Sequence, residues 1–174
     1  MYLDEVAEKM NLDPVEAAIE IEKAGGASLA SFNMSDEDVY NFIIQPFVMI
    51  SSDGQISDPN NRNNHPRSFG NWPRALSRFV RDTGLLTWEE AIKKMTSMPA
   101  NQLGLFDRGI IREGIAADIV IFCPATVKEK ATYLNPTEFP EGIPYVLVNG
   151  RIVIDKGEYT GVRSGIVLYG RGRK

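Results

Sequence analysis

The stretch Phe47-Val48-Met49-Ile50-Ser51-Ser52-Asp53-Gly54 decides the fold class, because a near-continuous apolar run breaks there into a polar turn. Such a run is typical of a strand that is buried on both faces. Before it, Ser35 begins a helix that ends at Pro46, and the short apolar stretch Ser28 to Phe32 predicts an earlier strand. The order strand, helix, strand predicts a parallel α/β sheet, open or closed into a barrel, with working residues at the carboxyl ends of strands.

The rest of the first 110 residues is mainly helical in pattern. Helices are predicted around Leu3 to Met10, from Pro14 after the N-cap Asp13, over Pro73 to Asp82, from Thr87-x-x-Glu90 onward, and at Pro99 to Leu105. Between the polar turn and the later helices, Ile56 to Phe69 is rich in Asn, Asp and Pro. This composition indicates a long surface loop of the kind that often carries function.

After Gly114 the pattern changes to strands. Strands are predicted at Asp118 to Cys123, at Tyr145 to Val148, at Ile152 to Ile154 and at Gly165 to Tyr169. Asn149-Gly150 between the second and third is a type I′ hairpin signal. The sequence therefore predicts an α/β portion over residues 1–110 and a small antiparallel β unit over residues 111–174.

Composition excludes several classes of protein. The chain has 174 residues, 43% of them hydrophobic, with 19 basic and 23 acidic residues and a net charge of −4, so a basic footprint for nucleic acid is missing. No apolar run approaches the roughly 18 to 20 residues that cross a bilayer. We expect a soluble, cytoplasmic protein with no nucleic-acid or membrane partner. One cysteine and one histidine make an internal disulfide or a local histidine cluster impossible.

Asp53 is the leading candidate for chemistry, because it follows a predicted buried strand on a turn that Gly54 can bend. A carboxylate there suits a metal ligand or a general base. The alternative is an Asx-turn, in which the side chain only bonds the following backbone. His65 and Arg67, on the downstream loop, could reach the same strand end and contact a substrate or a carboxylate, or His65 could simply anchor the loop. Cys123, in a predicted strand, is expected to be a buried packing thiol.

The order of several motifs carries a family resemblance over nearly the whole chain. The motifs are Phe32-Asn33-Met34-Ser35, Val48-Met49-Ile50-Ser51-Ser52-Asp53-Gly54, His65-Pro66-Arg67-Ser68-Phe69-Gly70, Pro99-Ala100, Arg112-Glu113-Gly114-Ile115-Ala116-Ala117-Asp118-Ile119-Val120 and Val146-Leu147-Val148-Asn149-Gly150. In this order they resemble the C-terminal third or so of the N-acyl-D-amino-acid deacylases, or D-aminoacylases, of the amidohydrolase superfamily. Cys123 departs from the family, which commonly has an acidic or amide residue there.

The resemblance implies the last βα units of a TIM-like, metal-bearing barrel followed by part of a β-sandwich, and hydrolysis of the amide of an N-acyl-D-amino acid. It matches Asp53 to a metal-binding aspartate that takes a proton from zinc-bound water and passes it to the leaving amine. It matches Met34 to a residue of the hydrophobic substrate pocket. Ser52, His65 and Arg67 are expected to contact the substrate.

The resemblance also exposes a shortage of metal ligands. A catalytic zinc takes about four ligands, about three of them from protein, and the family supplies most of them from barrel strands that precede this region. We expect this chain alone not to hold zinc tightly. One hypothesis is a C-terminal fragment or subunit that is inactive until it pairs with an N-terminal segment or self-associates. The others are a non-catalytic binding or assembly module of the same fold and, least expected, autonomous hydrolysis.

Overall fold

A computed structural model describes residues 1–27, 29, 31–56, 58, 60 and 64–170. The helices are α1 (Leu3–Met10), α2 (Pro14–Lys23), α3 (Asp36–Ile43), α4 (Arg67–Arg74), a π-helix (Ala75–Asp82), α5 (Trp88–Met95) and α6 (Ser97–Leu103). The strands are β1 (Ile119–Ile121), β2 (Tyr145–Val148), β3 (Arg151–Asp155) and β4 (Glu158–Tyr159). The chain divides into two compact units, Met1–Met34 and Ser35–Lys174.

The first unit is a helical hairpin made of α1 and α2. Asn11 ends α1 in the left-handed conformation, which lets the chain turn within a few residues. Asp13 begins α2, since its side chain accepts hydrogen bonds from the amides of Val15 and Glu16, and Pro14 takes the first helical position. Both helices were predicted from these residues, and both are confirmed.

The second unit is built around an apolar core. Its buried members are Ile43, Ile50, Ala75, Leu76, Val80, Leu86, Ala91 and Val127. They come from α3, the irregular segment before the Asp53 turn, the π-helix, the connection between the π-helix and α5, α5 itself, and the loop that follows β1. The aromatic pair Trp88 and Phe122 packs against this core and connects α5 to the end of β1, with ring centroids 5.7 Å apart. The core therefore joins the helices of the second unit to its strands.

Helix α5 begins as its sequence indicates. The Thr87 hydroxyl accepts from the Glu90 amide at 3.2 Å, and the Glu90 carboxylate accepts from the Thr87 amide at 2.8 Å. This reciprocal capping satisfies two donors that a helix end would otherwise leave open. The hydrogen bonds that the Glu90 carboxylate accepts from the Thr87 amide, and then from the Thr87 hydroxyl, lower the pKa of Glu90 below its ordinary value.

The four strands form one antiparallel sheet in the order β1-β2-β3-β4. Asn149 and Gly150, between β2 and β3, have φ values of 47° and 75°, as a type I′ turn requires. The backbone amide of Asn149 also donates to the side chain of Asp118, just before β1, at 2.8 Å. The predicted hairpin and the small antiparallel sheet are thus confirmed.

The strand predicted at Phe47 to Ile50 does not form in this structure. Residues 46 and 47 lie in a turn, and residues 48–50 join no ladder. The Ile50 amide instead donates to the Lys94 carbonyl at the end of α5, at 3.2 Å. The segment therefore bonds to a helix and not to a neighbouring strand, and its buried residue Ile50 packs in the apolar core.

One other strand prediction also needs correction, and another lies partly outside the described residues. Ser28 to Phe32 includes residues 28 and 30, which lie outside the described residues, and residues 29, 31 and 32 are irregular. Gly165 to Tyr169 is irregular as well, and β3 instead pairs with Glu158–Tyr159. The predicted helix at Pro73 begins earlier, at Arg67, so the long loop is shorter than its polar composition indicates.

Candidate active site

The turn at Asp53 packs tightly against the start of α4. Asp53 has φ 46°, in the left-handed region, and the Ser52 hydroxyl accepts from the Gly54 amide at 3.1 Å. A Cβ on Gly54 would lie 3.1 Å from the Cα of Ser68, so only glycine fits there without a shift. The Gln55 amide donates to the Ser68 hydroxyl at 3.2 Å. These contacts fix the turn beside the first residues of α4.

Asp53 and Arg67 form an ion pair across this contact. An Arg67 Nη2 atom lies 2.8 Å from Asp53 Oδ2, and the Asp53 side chain is 83% exposed. The carboxylate is therefore bonded to a side chain rather than to its own backbone, unlike the Asx-turn alternative. Because an exposed ion pair contributes little energy, roughly 0 to 1 kcal/mol, a ligand can compete for either partner.

His65 lies in the same cluster and is half-buried. Its Nδ1 atom accepts from the Arg67 amide at 3.1 Å, so the neutral ring carries its proton on Nε2. Burial lowers the pKa of His65 below its ordinary value, Arg67 lowers it further, and Asp53 opposes both. The ring also meets Tyr133 edge to face, with centroids 5.2 Å apart. His65 is thus held in one orientation beside the ion pair.

A buried lysine anchors the segment that leads to Asp53. Lys94 is 4% exposed, and its ammonium donates to the carbonyls of Val48, at 2.9 Å, and Gln45. Burial lowers the pKa of Lys94, and Glu90 opposes this shift. With the Ile50 bond to the Lys94 carbonyl, these contacts fix the path of residues 45–50 against α5.

The structure therefore brings together four of the five residues singled out in the sequence, Ser52, Asp53, His65 and Arg67. Met34 belongs to the first unit and is exposed. The sequence reasoning missed Lys94 and Tyr133. Neither residue belongs to a sequence motif, and Lys94 is 46 residues from the Val48 carbonyl that it binds. Their contacts therefore cannot be read from the local sequence.

Cys123 is exposed, so the prediction of a buried packing thiol is wrong. The chain leaves β1 at Ile121, and residues 124–126 form a turn directly after Cys123. Hydrogen bonds from the Thr126 side chain, and then from the Ala125 and Thr126 amides, lower the pKa of the thiol. The turn therefore directs the sulfur to solvent and supplies it with donors.

A zinc site needs several donor side chains close together. Among the described residues, no group of three or more His, Cys, Asp or Glu side chains could hold a metal ion. Asp53 offers one carboxylate, which pairs with Arg67, and Nδ1 of the single histidine is already engaged. A zinc ion takes about three protein ligands in a catalytic site, so the described residues do not fit a complete zinc site.

Comparison with known proteins defines the class of this protein. The family model described as "Amidohydrolase family" matches residues 46–154, which include the Asp53 turn, α4, β1, β2 and all of β3 except its last residue. The chain therefore belongs to the amidohydrolase family. Within the part of the chain that the structure describes, no helix is long and apolar enough to cross a membrane.

Similar sequences include individual deacylases of this family. A D-aminoacylase of Alcaligenes xylosoxydans xylosoxydans is 39% identical over 166 residues, which is 95% of this chain and 33% of the relative. An N-acyl-D-aspartate deacylase of the same organism is 41% identical over 165 residues, or 94% of this chain and 32% of the relative. The chain thus spans about a third of the length of these relatives.

Solved structures agree with the sequence relatives. A D-aminoacylase crystal structure, described as defining a novel subset of amidohydrolases, has a TM-score of 0.85 and 37% identity, covering 96% of this chain and 34% of that one. An N-acyl-D-glutamate deacylase from Bordetella bronchiseptica, complexed with zinc and a phosphonate inhibitor, has a TM-score of 0.78 and 37% identity. It covers 87% of this chain and 31% of that one.

Proposed function

We propose that this chain is the C-terminal part of a zinc-dependent N-acyl-D-amino-acid deacylase and supplies its proton-transfer residue, Asp53. The observation that supports this proposal best is the cluster of Asp53, His65 and Arg67 at the start of α4, in a chain 39% identical to a D-aminoacylase. An exposed acid beside a cation is a suitable arrangement for a substrate that carries both an amide and a carboxylate.

Each residue has a separate role in this proposal. Arg67 binds the carboxylate of the substrate, because a guanidinium matches a carboxylate with two parallel hydrogen bonds. The substrate carboxylate then replaces Asp53 as the ion-pair partner of Arg67, so that the Asp53 carboxylate is released. Asp53 accepts a proton during attack of water on the amide carbon and donates it to the leaving nitrogen. His65 and Ser52 contact the substrate.

The zinc ligands other than Asp53 come, in this proposal, from a polypeptide segment that corresponds to the remaining two thirds of the relatives. Residues 1–110 then complete a TIM-like barrel with that segment, and residues 111–174 form part of a β-sandwich. The similarity to the D-aminoacylase structure supports this arrangement. The chain meets this segment, or a second copy of itself, in the cytoplasm.

A second function, that of a non-catalytic binding or assembly module, is favoured by one observation. The described residues lack a cluster of three metal-binding side chains, so the cluster around Arg67 could bind a carboxylate without catalysis. Hydrolysis in the presence of the complementary segment separates the two functions.

The experiment combines this chain with the part of the Alcaligenes D-aminoacylase that it does not match. We expect zinc-dependent hydrolysis of an N-acetyl-D-amino acid only in the mixture. The substitution Asp53→Asn should lower kcat about 10²- to 10⁴-fold, the usual contribution of a positioned acid or base. Asp155→Asn, an exposed change at the end of β3, is the matched control and should leave kcat unchanged. Equal activity of the Asp53 variant and the control would refute the proposed role.

A further inference from the structure

The segment of residues 127–139, which follows β1, is fastened along α4. Val127 is fully buried in the core, and the Glu129 carboxylate accepts from Arg74 at 2.9 Å and from Ser77 at 3.0 Å. Phe139 meets Phe69 of α4 edge to face, with ring centroids 5.7 Å apart. Since α4 begins with Arg67, this segment lies along the helix that carries the proposed active site.

A constrained turn within this segment exposes the side chains of Tyr133 and Leu134. The Thr132 amide donates to the Asn135 carbonyl, and the Asn135 amide donates to the Thr132 hydroxyl, each at 3.0 Å. Ala131 and Pro136, on either side of the turn, are buried. The tip of the turn is therefore fixed at both ends, and its conformational freedom is already reduced before any ligand binds.

Tyr133, at the tip of this turn, contacts the active-site cluster. Its ring meets the His65 ring edge to face at 5.2 Å, while 52% of Tyr133 stays exposed. One part of the ring thus orients His65, and another part remains accessible to a ligand. Aromatic rings in such positions offer large apolar contact area at little cost in conformational entropy.

We propose that Tyr133 is a specificity-determining residue, whose ring contacts the apolar part of an N-acylated amino acid while Arg67 holds its carboxylate. The inference rests on the proposed function for the class of ligand. It adds a residue that no sequence motif singles out, on an element that follows β1 rather than the Asp53 turn. A ligand with a larger apolar side chain should therefore bind more tightly than one without, and the difference should require the aromatic ring.

The test measures binding by the 174-residue chain itself and needs no hydrolysis. His65 is the only histidine, so its imidazole gives a single resolved NMR signal beside the proposed contact. Titration with N-acetyl-D-leucine and with N-acetylglycine should shift this signal, the first ligand binding about fivefold more tightly because it buries more apolar surface. Arg67→Met should weaken binding of both ligands.

Variants of Tyr133 decide the inference. Tyr133→Ala and Tyr133→Gln should both remove the fivefold preference, whereas Tyr133→Phe should keep it. Tyr159→Ala is the matched control, because Tyr159 is an exposed tyrosine on β4, and it should also keep the preference. The inference is overturned if neither ligand shifts the signal, if the wild-type chain shows no preference, or if the alanine and glutamine variants retain it.

Its failure is distinguishable from failure of the proposed function. A Tyr133-dependent preference without hydrolysis in the complemented mixture would overturn the deacylase proposal and support the inference. Hydrolysis in that mixture with no dependence of binding on Tyr133 would do the reverse.

Discussion

Asp53 holds a backbone conformation that few residues with a side chain adopt. Its φ of 46° lies in the left-handed region, which aspartate tolerates better than most residues. The neighbouring Gly54 can approach Ser68 because it has no Cβ. Conformations of this kind persist where surrounding contacts enforce them, and they are common at functional sites. The contacts with α4 thus direct the carboxylate towards Arg67.

At the same scale, His65 provides a test of the electrostatics of the cluster. Its pKa is lowered by burial and by Arg67 and raised by Asp53, so NMR titration should give a value below about 6.5, the ordinary value for histidine. Arg67→Met should raise this pKa because it removes a positive charge. Asp53→Asn should lower it because it removes the charge that favours imidazolium. Shifts in the opposite directions would contradict the geometry of the cluster.

The lowered pKa also has a consequence for stability. Between the folded pKa and about 6.5, the unfolded chain binds more protons than the folded chain, so the contribution of His65 to the free energy of unfolding is lost as the pH falls through this window. Urea unfolding at a series of pH values should show this loss, and His65→Gln should remove the His65 component of the pH dependence.

At the scale of elements, the approach of the 127–139 segment to α4 depends on Gly70. A Cβ on Gly70 would lie 2.8 Å from the Cβ of Glu129. Alanine ordinarily stabilises a helix by up to about 1 kcal/mol relative to glycine, but overpacking costs about 1 to 3 kcal/mol. We expect Gly70→Ala to lower the free energy of unfolding by about 1 kcal/mol, as measured by urea denaturation.

Gly165→Ala is the control for this prediction. A Cβ there meets open space and the residue has no positive φ, so the change should stay within about 0.5 kcal/mol. If Gly70→Ala is as stable as wild type, or more stable, this result would contradict the close packing of the 127–139 segment on α4.

Some elements of the fold could be predicted from the sequence and others could not. Thr87 with Glu90 and Asn149 with Gly150 specify a helix start and a hairpin through contacts within a few residues, so both were predictable. Phe47 to Ile50 was not, because an apolar run fits a buried strand and a buried irregular segment equally well. The Asp53 cluster was predictable in part, since its members lie on consecutive segments. Tyr133 was not, because it reaches His65 only through packing of the 127–139 segment.

At the scale of the whole molecule, the sheet ends in two strands with unpaired edges, β1 and β4, among the described residues. Val120 and Ile121 on β1 are about half exposed. Exposed apolar edges of this kind favour pairing with another chain. We therefore predict that the chain self-associates, so that light scattering gives a mass above the 19.4 kDa of one chain. A monodisperse monomer at micromolar concentration would exclude this.

Among the described residues, the donor side chains do not complete a catalytic zinc site, and we predict that this chain alone does not hold zinc tightly. The most direct test is the zinc content of the purified chain, measured by elemental analysis after equilibration with zinc and removal of the excess by gel filtration. The predicted result is far less than one zinc ion per chain, with Asp53→Asn giving the same value. One tightly held zinc ion per chain, lost in the Asp53 variant, would contradict the claim.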